Sequence, residues 1–108
     1  MFKNEVAEFI YKRTYSRWLE DENRREDWPE TIERFIGFII SERPDIPDKT
    51  ISKIRKYMLK FAVMPSMRFL WAAGPAAKAD NTCIYNCSFA KINSVEAFAE
   101  CLYVLMCG

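Results

Sequence analysis

Cysteine is the residue type in this sequence best suited to carry chemistry. The four cysteines stand at positions 83, 87, 101 and 107, spaced C-x3-C and C-x5-C, and the chain contains no histidine. Structural zinc sites usually have tighter C-x2-C pairs. The spacing therefore argues against a four-cysteine metal site, which stays open as an alternative that zinc titration would test.

Cys83 and Cys87 lie in a polar segment, NTCIYNCSF. Read as a strand, this segment would place both cysteines on one face together with Tyr85. No histidine or nearby lysine is placed by sequence to activate either thiol, so the residues alone favour a structural role for Cys87. Cys101 and Cys107 fall in an apolar helical stretch, which predicts that they pack as small hydrophobic side chains.

The N-terminal half has helical periodicity. Apolar residues at helical spacing predict a first helix, and the charged stretch LEDENRRED after it predicts a solvated loop. A second helix should begin at Asp27, where Glu30 completes a capping-box pattern and Pro29 suits the first turn, and should run to about Glu42. Its apolar stripe consists of Ile32, Phe35, Ile36, Ile39 and Ile40.

The segment RPDIP breaks the helical pattern, because proline lacks a backbone donor and disfavours helix at the preceding residue. Asp48 can then cap a third helix with Ile51, Ile54, Met58 and Phe61 on one side.

From Met64 onwards, prolines and short apolar runs predict extended segments and loops. Ser94 is a good N-cap for a last helix. One face of that helix carries Val95, Phe98, Leu102 and Leu105.

Length and charge limit the classes of function. The 108 residues suffice for one small domain, and 16 basic against 15 acidic side chains give little reason to expect nucleic-acid binding. Charges interrupt the apolar residues of the N-terminus, so no signal peptide is expected, and no apolar run could span a bilayer. We therefore expect a cytoplasmic protein without a membrane partner. The apolar ending CLYVLMCG predicts a chain that is cut or needs a partner.

Four stretches, taken in order, resemble the monomeric type of adenosylcobalamin-dependent (class II) ribonucleotide reductase. YKRTYSRWLEDENRREDWPETIERFI resembles the family's N-terminal signature, and MPSMRFLWAAGP looks like the segment that enters its first barrel strands. NTCIYNCSF looks like the strand with the first redox-active cysteine, and LYVLMCG is similar to the helix before a glycine-rich turn.

The resemblance implies a fold that is mainly α. Residues 1–62 would form an N-terminal helical domain. Residues 63–108 would form the first strand or strands and a helix of a ten-stranded α/β barrel, truncated.

The resemblance also implies a reaction, the reduction of ribonucleotides to 2′-deoxyribonucleotides by radical chemistry. Cys87 would belong to the redox-active pair, Asn86 would touch the ribose and Ser66 would lie near the substrate phosphates. Adenosylcobalamin would be bound by the complete enzyme and not by this piece, which alone would be inactive. The implied partners are the ribonucleotide substrate, an external dithiol such as thioredoxin, and the remainder of the reductase chain.

Cys83 receives no role from the resemblance, and the choice between a diphosphate and a triphosphate substrate stays open. An alternative function also stays open, in which the chain is a helical binding subunit that completes a split reductase without catalysis of its own.

Overall fold

The computed structural model describes residues 2–85 and 89–107, and in these ranges the chain is mainly helical. The helices are α1 (Glu5–Thr14), α2 (Trp28–Glu42), α3 (Asp48–Leu59), α4 (Met67–Ala72), α5 (Pro75–Ala79), a 3₁₀ helix (Asn81–Ile84) and α6 (Glu96–Cys107). A two-stranded antiparallel hairpin, β1 (Trp18–Leu19) and β2 (Arg24–Arg25), joins α1 to α2.

The beginning and end of α2 confirm the sequence prediction. The Glu30 backbone N–H donates to Asp27 Oδ1 at 3.0 Å, and the Asp27 backbone N–H donates to Glu30 Oε2 at 2.7 Å. These reciprocal bonds satisfy amide groups that have no partner within a helix. The helix then runs to Glu42, as its apolar stripe predicts.

The charged stretch between α1 and α2 is more ordered than the sequence predicts. Trp18 pairs with Arg25 and Leu19 with Arg24 across the hairpin, so the interpretation as a solvated loop holds for the exposed turn 20–23 and is wrong for the paired residues. Asn23 lies in the turn at φ 50°, a left-handed conformation that asparagine tolerates better than most residues. The Arg24 guanidinium binds both carboxylate oxygens of Glu30, at 2.6 and 2.8 Å, and so holds the hairpin against the start of α2.

The core forms around α2. Ile32 and Ile36 are buried there, and Ile51 and Met58 of α3 and Leu70 of α4 join the same cluster. Within the predicted stripe of α2, Ile40 is exposed and Phe38 is buried instead. Core residues thus come from both sides of position 63, and the division into regions 1–62 and 63–108 stays a prediction.

Aromatic rings close one end of the helical region. Phe2 stacks on Tyr11 with ring centroids 4.8 Å apart, and Trp28 stacks on Phe61, also at 4.8 Å. The Trp28 indole N–H donates to the Met58 carbonyl at 3.2 Å, so the buried ring keeps its polar atom satisfied. The cluster joins the chain before α1 to the start of α2 and to the end of α3.

The prediction of extended segments and loops after Met64 is wrong for most of residues 67–84, which form α4, α5 and the 3₁₀ helix, whereas residues 89–93 are irregular as predicted. Each helix has six residues or fewer, too short to show a sustained helical period in the sequence. Alanine favours helix, and Leu70, Ala72 and Ala77 are buried in the core. Cys83 lies in the 3₁₀ helix, so the strand predicted to align it with Tyr85 does not form there.

The last helix confirms its prediction, with Ser94 Oγ accepting from the Ala97 backbone N–H at 3.3 Å. Its predicted apolar face is exposed: Val95, Phe98, Leu102 and Leu105 are 58–82% accessible. Cys101 and Cys107 are half-buried, less than expected for core residues. None of the described helices is long and apolar enough to cross a membrane.

Candidate functional site

A buried carboxylate, Glu26, lies at the centre of a polar network between the hairpin and α2. Its side chain is 5% exposed and accepts two hydrogen bonds from Arg34, from Nε at 2.8 Å and from Nη2 at 3.1 Å. Thr31 Oγ1 and the Arg17 backbone N–H also donate to Glu26 Oε2, at 2.9 and 3.2 Å. Burial raises the pKa of Glu26, but the donors from Arg34, Arg17 and Thr31 outweigh it, so the net pKa is lowered.

The same network continues to α1 through Tyr11. The Tyr11 hydroxyl lies 2.6 Å from Thr31 Oγ1, and Thr31 uses its own proton to bind Glu26, so Tyr11 must be the donor. Burial of Tyr11 raises the pKa of its hydroxyl. Ser16 Oγ and Lys12 Nζ both donate to the Glu26 backbone carbonyl, at 2.6 and 2.8 Å. Glu26 is thus held by both its side chain and its backbone.

The guanidinium groups of two residues bonded to Glu26 reach the C-terminal end of α4. Arg34 Nη1 donates to the carbonyls of Leu70 and Ala73, at 3.1 and 2.7 Å, and Arg17 Nη2 donates to the Trp71 carbonyl at 2.6 Å. The last carbonyls of a helix lack partners within it, and the negative end of the helix dipole attracts cations. The Arg17 guanidinium also stacks over the Trp71 ring, 4.6 Å from its centroid.

Gly74 makes the turn between α4 and α5. Its φ is +120°, a conformation that residues with a side chain rarely adopt. A Cβ at this position would meet only the Arg34 side chain, at 3.8 Å, which is an ordinary contact. Glycine is therefore required by the backbone conformation and not by lack of space.

Of the predicted site residues, Ser66 is described, and it is the N-cap of α4. Its Oγ accepts from the Phe69 backbone N–H at 3.1 Å, and the residue is exposed. The hydroxyl proton can still be donated to another group. Asn86 and Cys87 lie outside the described residues.

Cys83 and Ser66 are linked through α4. Arg68, two residues after Ser66, donates from Nε to the Cys83 carbonyl at 2.9 Å. Cys83 itself is buried in the core and is a free thiol. The chain is therefore anchored to α4 four residues before Cys87.

The described residues contain no cluster of side chains suited to bind a metal ion. Within ranges 2–85 and 89–107, no three histidine, cysteine or acidic side chains come together as metal ligands. One cleft, of about 800 Å³, is lined mainly by apolar and aromatic side chains, with Lys3, Asn4 and Lys60 among them. The resemblance assigns adenosylcobalamin to other parts of the enzyme.

Sequence reasoning missed the Glu26 network. A signal was present in α2, where Arg34 falls between Thr31 and Phe38 at helical spacing, on the side that is buried. A charged residue on a buried face needs a partner. The partner, Glu26, lies in a stretch of mixed charges that resembles an ordinary exposed loop.

The fold and motifs agree with the comparisons with known proteins. The family model "ribonucleotide reductase alpha domain" matches residues 1–75. The chain belongs to this family, and the resemblance seen in the sequence is confirmed.

The similar curated proteins carry a more specific name. The adenosylcobalamin-dependent ribonucleoside-triphosphate reductase of Lactobacillus gasseri is 35% identical over 100 residues, covering 82% of this chain and 13% of that protein. The enzyme of the same name from Lactobacillus helveticus is 32% identical, with the same coverage. A putative one from Mycobacterium phage D29 is 37% identical over 72 residues, covering 64% of this chain and 10% of that protein.

The chain spans about one eighth of the length of these relatives. No solved structure matches it.

Proposed function

We propose that the chain is part of an adenosylcobalamin-dependent ribonucleotide reductase that converts ribonucleotides to 2′-deoxyribonucleotides. The observation that carries the proposal is the family match over residues 1–75. The motif order and the names of the similar proteins support it further. In this proposal residues 63–108 begin the ten-stranded barrel, after a helical domain formed by residues 1–62, and the enzyme acts in the cytoplasm.

Cys87 is proposed as one of two redox-active thiols. The pair gives up two protons and two electrons and becomes a disulfide, while the ribose 2′-hydroxyl leaves as water and a hydrogen replaces it. An external dithiol, such as thioredoxin, then returns the disulfide to two thiols by exchange. Serine could supply a proton but could not form the disulfide.

Substrate contacts are proposed for two residues. Ser66 is exposed at the start of α4 and keeps a hydroxyl proton that could be donated to a phosphate oxygen. Asn86, directly before Cys87, would touch the ribose. Both assignments come from the family resemblance, and the exposure of Ser66 is compatible with its role.

The cofactor supplies the radical that starts the reaction. By the family resemblance, its site is proposed to lie in other parts of the enzyme, and the chain alone is proposed to be inactive.

The alternative, a binding subunit that completes a split reductase, has one observation in its favour. The exposed face of α6 presents Val95, Phe98, Leu102 and Leu105, and a contiguous apolar surface of this kind is typical of an interaction site.

The test is Cys87→Ser in a reductase that contains this chain, with Cys83→Ser as the matched control. Turnover supported by an external dithiol should be lost in Cys87→Ser, because the disulfide cannot form, and retained in Cys83→Ser. Multiple turnover by Cys87→Ser would contradict the redox role. Turnover by both variants at the rate of the unmodified enzyme would favour the complementing-subunit alternative.

A further inference from the structure

The Glu26 network does more than neutralise a buried charge, because the guanidinium hydrogen bonds that its two arginines make beyond Glu26 all end on one short segment. Arg34 and Arg17 together bind three carbonyls within residues 70–73. Both arginines are also bonded to the Glu26 carboxylate, Arg34 through its side chain and Arg17 through its backbone N–H. The carboxylate therefore holds the Arg34 guanidinium directly and the Arg17 backbone, and both guanidinium groups bind α4.

The segment that they bind has little means of holding itself in place. α4 has six residues, and a helix this short is not stable without tertiary contacts. It is followed by Gly74, whose φ of +120° belongs to a conformation that only glycine adopts readily. The direction of the chain after Ala73 thus depends on the contacts made at the end of α4.

Hydrogen bonds then continue from α4 towards Cys83. Arg68 of α4 binds the Cys83 carbonyl at 2.9 Å, and the Cys83 backbone N–H bonds to the Asp80 carbonyl at 3.4 Å. A continuous series of bonds therefore runs from Glu26 through Arg34, α4 and Arg68 to the 3₁₀ helix. Cys87 follows this helix three residues after its last member, Ile84.

We propose that Glu26, acting through Arg34 and Arg17, is a positioning residue that sets the placement of the segment from Ser66 to Cys83. The significance of this inference for catalysis rests on the proposed function, since that segment carries Ser66 and leads to Cys87. Glu26 itself touches neither substrate nor cofactor in this proposal. Its role is to hold Arg34 and Arg17, whose bonds to α4 set the position of the chain that leads into the proposed site.

The test uses the 108-residue chain without nucleotide, so its result does not depend on whether the reductase proposal holds. Arg34→Lys keeps the charge opposite Glu26 but removes the fork that reaches the Leu70 and Ala73 carbonyls. Arg17→Lys is a milder variant, which removes one carbonyl contact, and it carries the test if Arg34→Lys does not fold. Glu33→Gln is the matched control, because it breaks a bidentate pair with Arg55 on the exposed side of α2.

The first readout is labelling of the Cys83 thiol, measured with Cys87→Ser, Cys101→Ser and Cys107→Ser present in every protein compared. Loss of charge-assisted bonds at the end of α4 should expose the buried thiol and speed labelling by about tenfold in Arg34→Lys. Arg17→Lys should show a smaller increase, and Glu33→Gln none.

The second readout is the set of backbone amide NMR shifts, which report the folded conformation itself. Positioning predicts that amide shifts of the 3₁₀ helix, residues 81–84, change in the arginine variants, while those of α3 do not. A purely stabilising role would lower the free energy of unfolding without moving native-state shifts. Unchanged shifts in residues 81–84, or labelling equal to that of Glu33→Gln, would overturn the inference.

Discussion

At the scale of single residues, the most consequential group is Glu26. Burying a carboxylate is costly unless it is paired, and here a guanidinium, a hydroxyl and an amide all bind it. Removing one member of such a pair leaves the other charge buried without a partner.

We predict that Glu26→Ala destabilises the chain by about 3–5 kcal/mol, the usual cost of breaking a buried ion pair. Glu33→Ala removes a pair whose carboxylate is 57% exposed, and it should cost less than about 1 kcal/mol. Urea unfolding of both variants measures the difference. Equal losses would show that Glu26 is not the buried anchor that its contacts indicate.

Acidification should also destabilise the fold. Hydrogen bonds from Arg34, Arg17 and Thr31 lower the pKa of Glu26 despite its burial, and the Arg24 hydrogen bonds lower the pKa of Glu30 to about 2. Folded-state pKa values below the unfolded value of about 4.3 give stability that is complete above that pH. This stability is lost as the pH falls from about 4 through the pKa values of the folded state.

The free energy of unfolding, measured between pH 7 and pH 2, should therefore decrease as the pH falls below about 4. Glu26→Gln should make this decrease smaller. A stability that rises on acidification would have the wrong sign for lowered carboxyl pKa values.

At the scale of elements, two glycines have opposite roles. Gly74 occupies a turn at φ +120°, so Gly74→Ala should destabilise the chain by about 1–3 kcal/mol. Gly37 lies in α2 with no atom within 4 Å of an added Cβ, so Gly37→Ala should stabilise it by roughly 0.5–1 kcal/mol. Thermal unfolding of the two variants gives the signs directly, and the same sign for both would contradict the assigned backbone conformations.

The elements also show how far sequence reasoning reached. α2 was predictable from end to end, because its capping box and its apolar stripe are local patterns within 15 residues. α4 and α5 were not, since each is only one or two turns long and is held by contacts from distant parts of the chain.

The same distinction applies to the candidate site. Arg34 binds carbonyls that lie 36 and 39 residues further along the chain, and no local sequence pattern predicts such a contact. The roles of Cys87, Asn86 and Ser66 are predictions from family resemblance, and the residues alone favoured a structural role for Cys87. The Glu26 network, which holds the segment carrying Ser66, was found only in the structure.

At the scale of the whole molecule, the described residues divide into a packed region and an exposed helix. Helices α2 to α5 share one core, whereas α6 shows most of its apolar face to solvent. In a barrel enzyme such a face would be covered by neighbouring elements, as the proposed function requires.

The exposed helix leads to a prediction for the isolated chain. Unpaired apolar surface favours association, so the chain should form oligomers as its concentration rises, and Leu102→Glu should reduce this. Sedimentation of both proteins over a range of concentrations tests the effect, with Lys53→Glu on the exposed side of α3 as the control. A chain that stays monomeric at every concentration would contradict it.

The most direct test of the proposed reaction is a single turnover by a pre-reduced reductase that contains this chain, without external dithiol. Peptide mass spectrometry should then find Cys87 in a disulfide, in an amount equal to the deoxyribonucleotide formed. Deoxyribonucleotide formation with Cys87 still present as a free thiol would contradict the account.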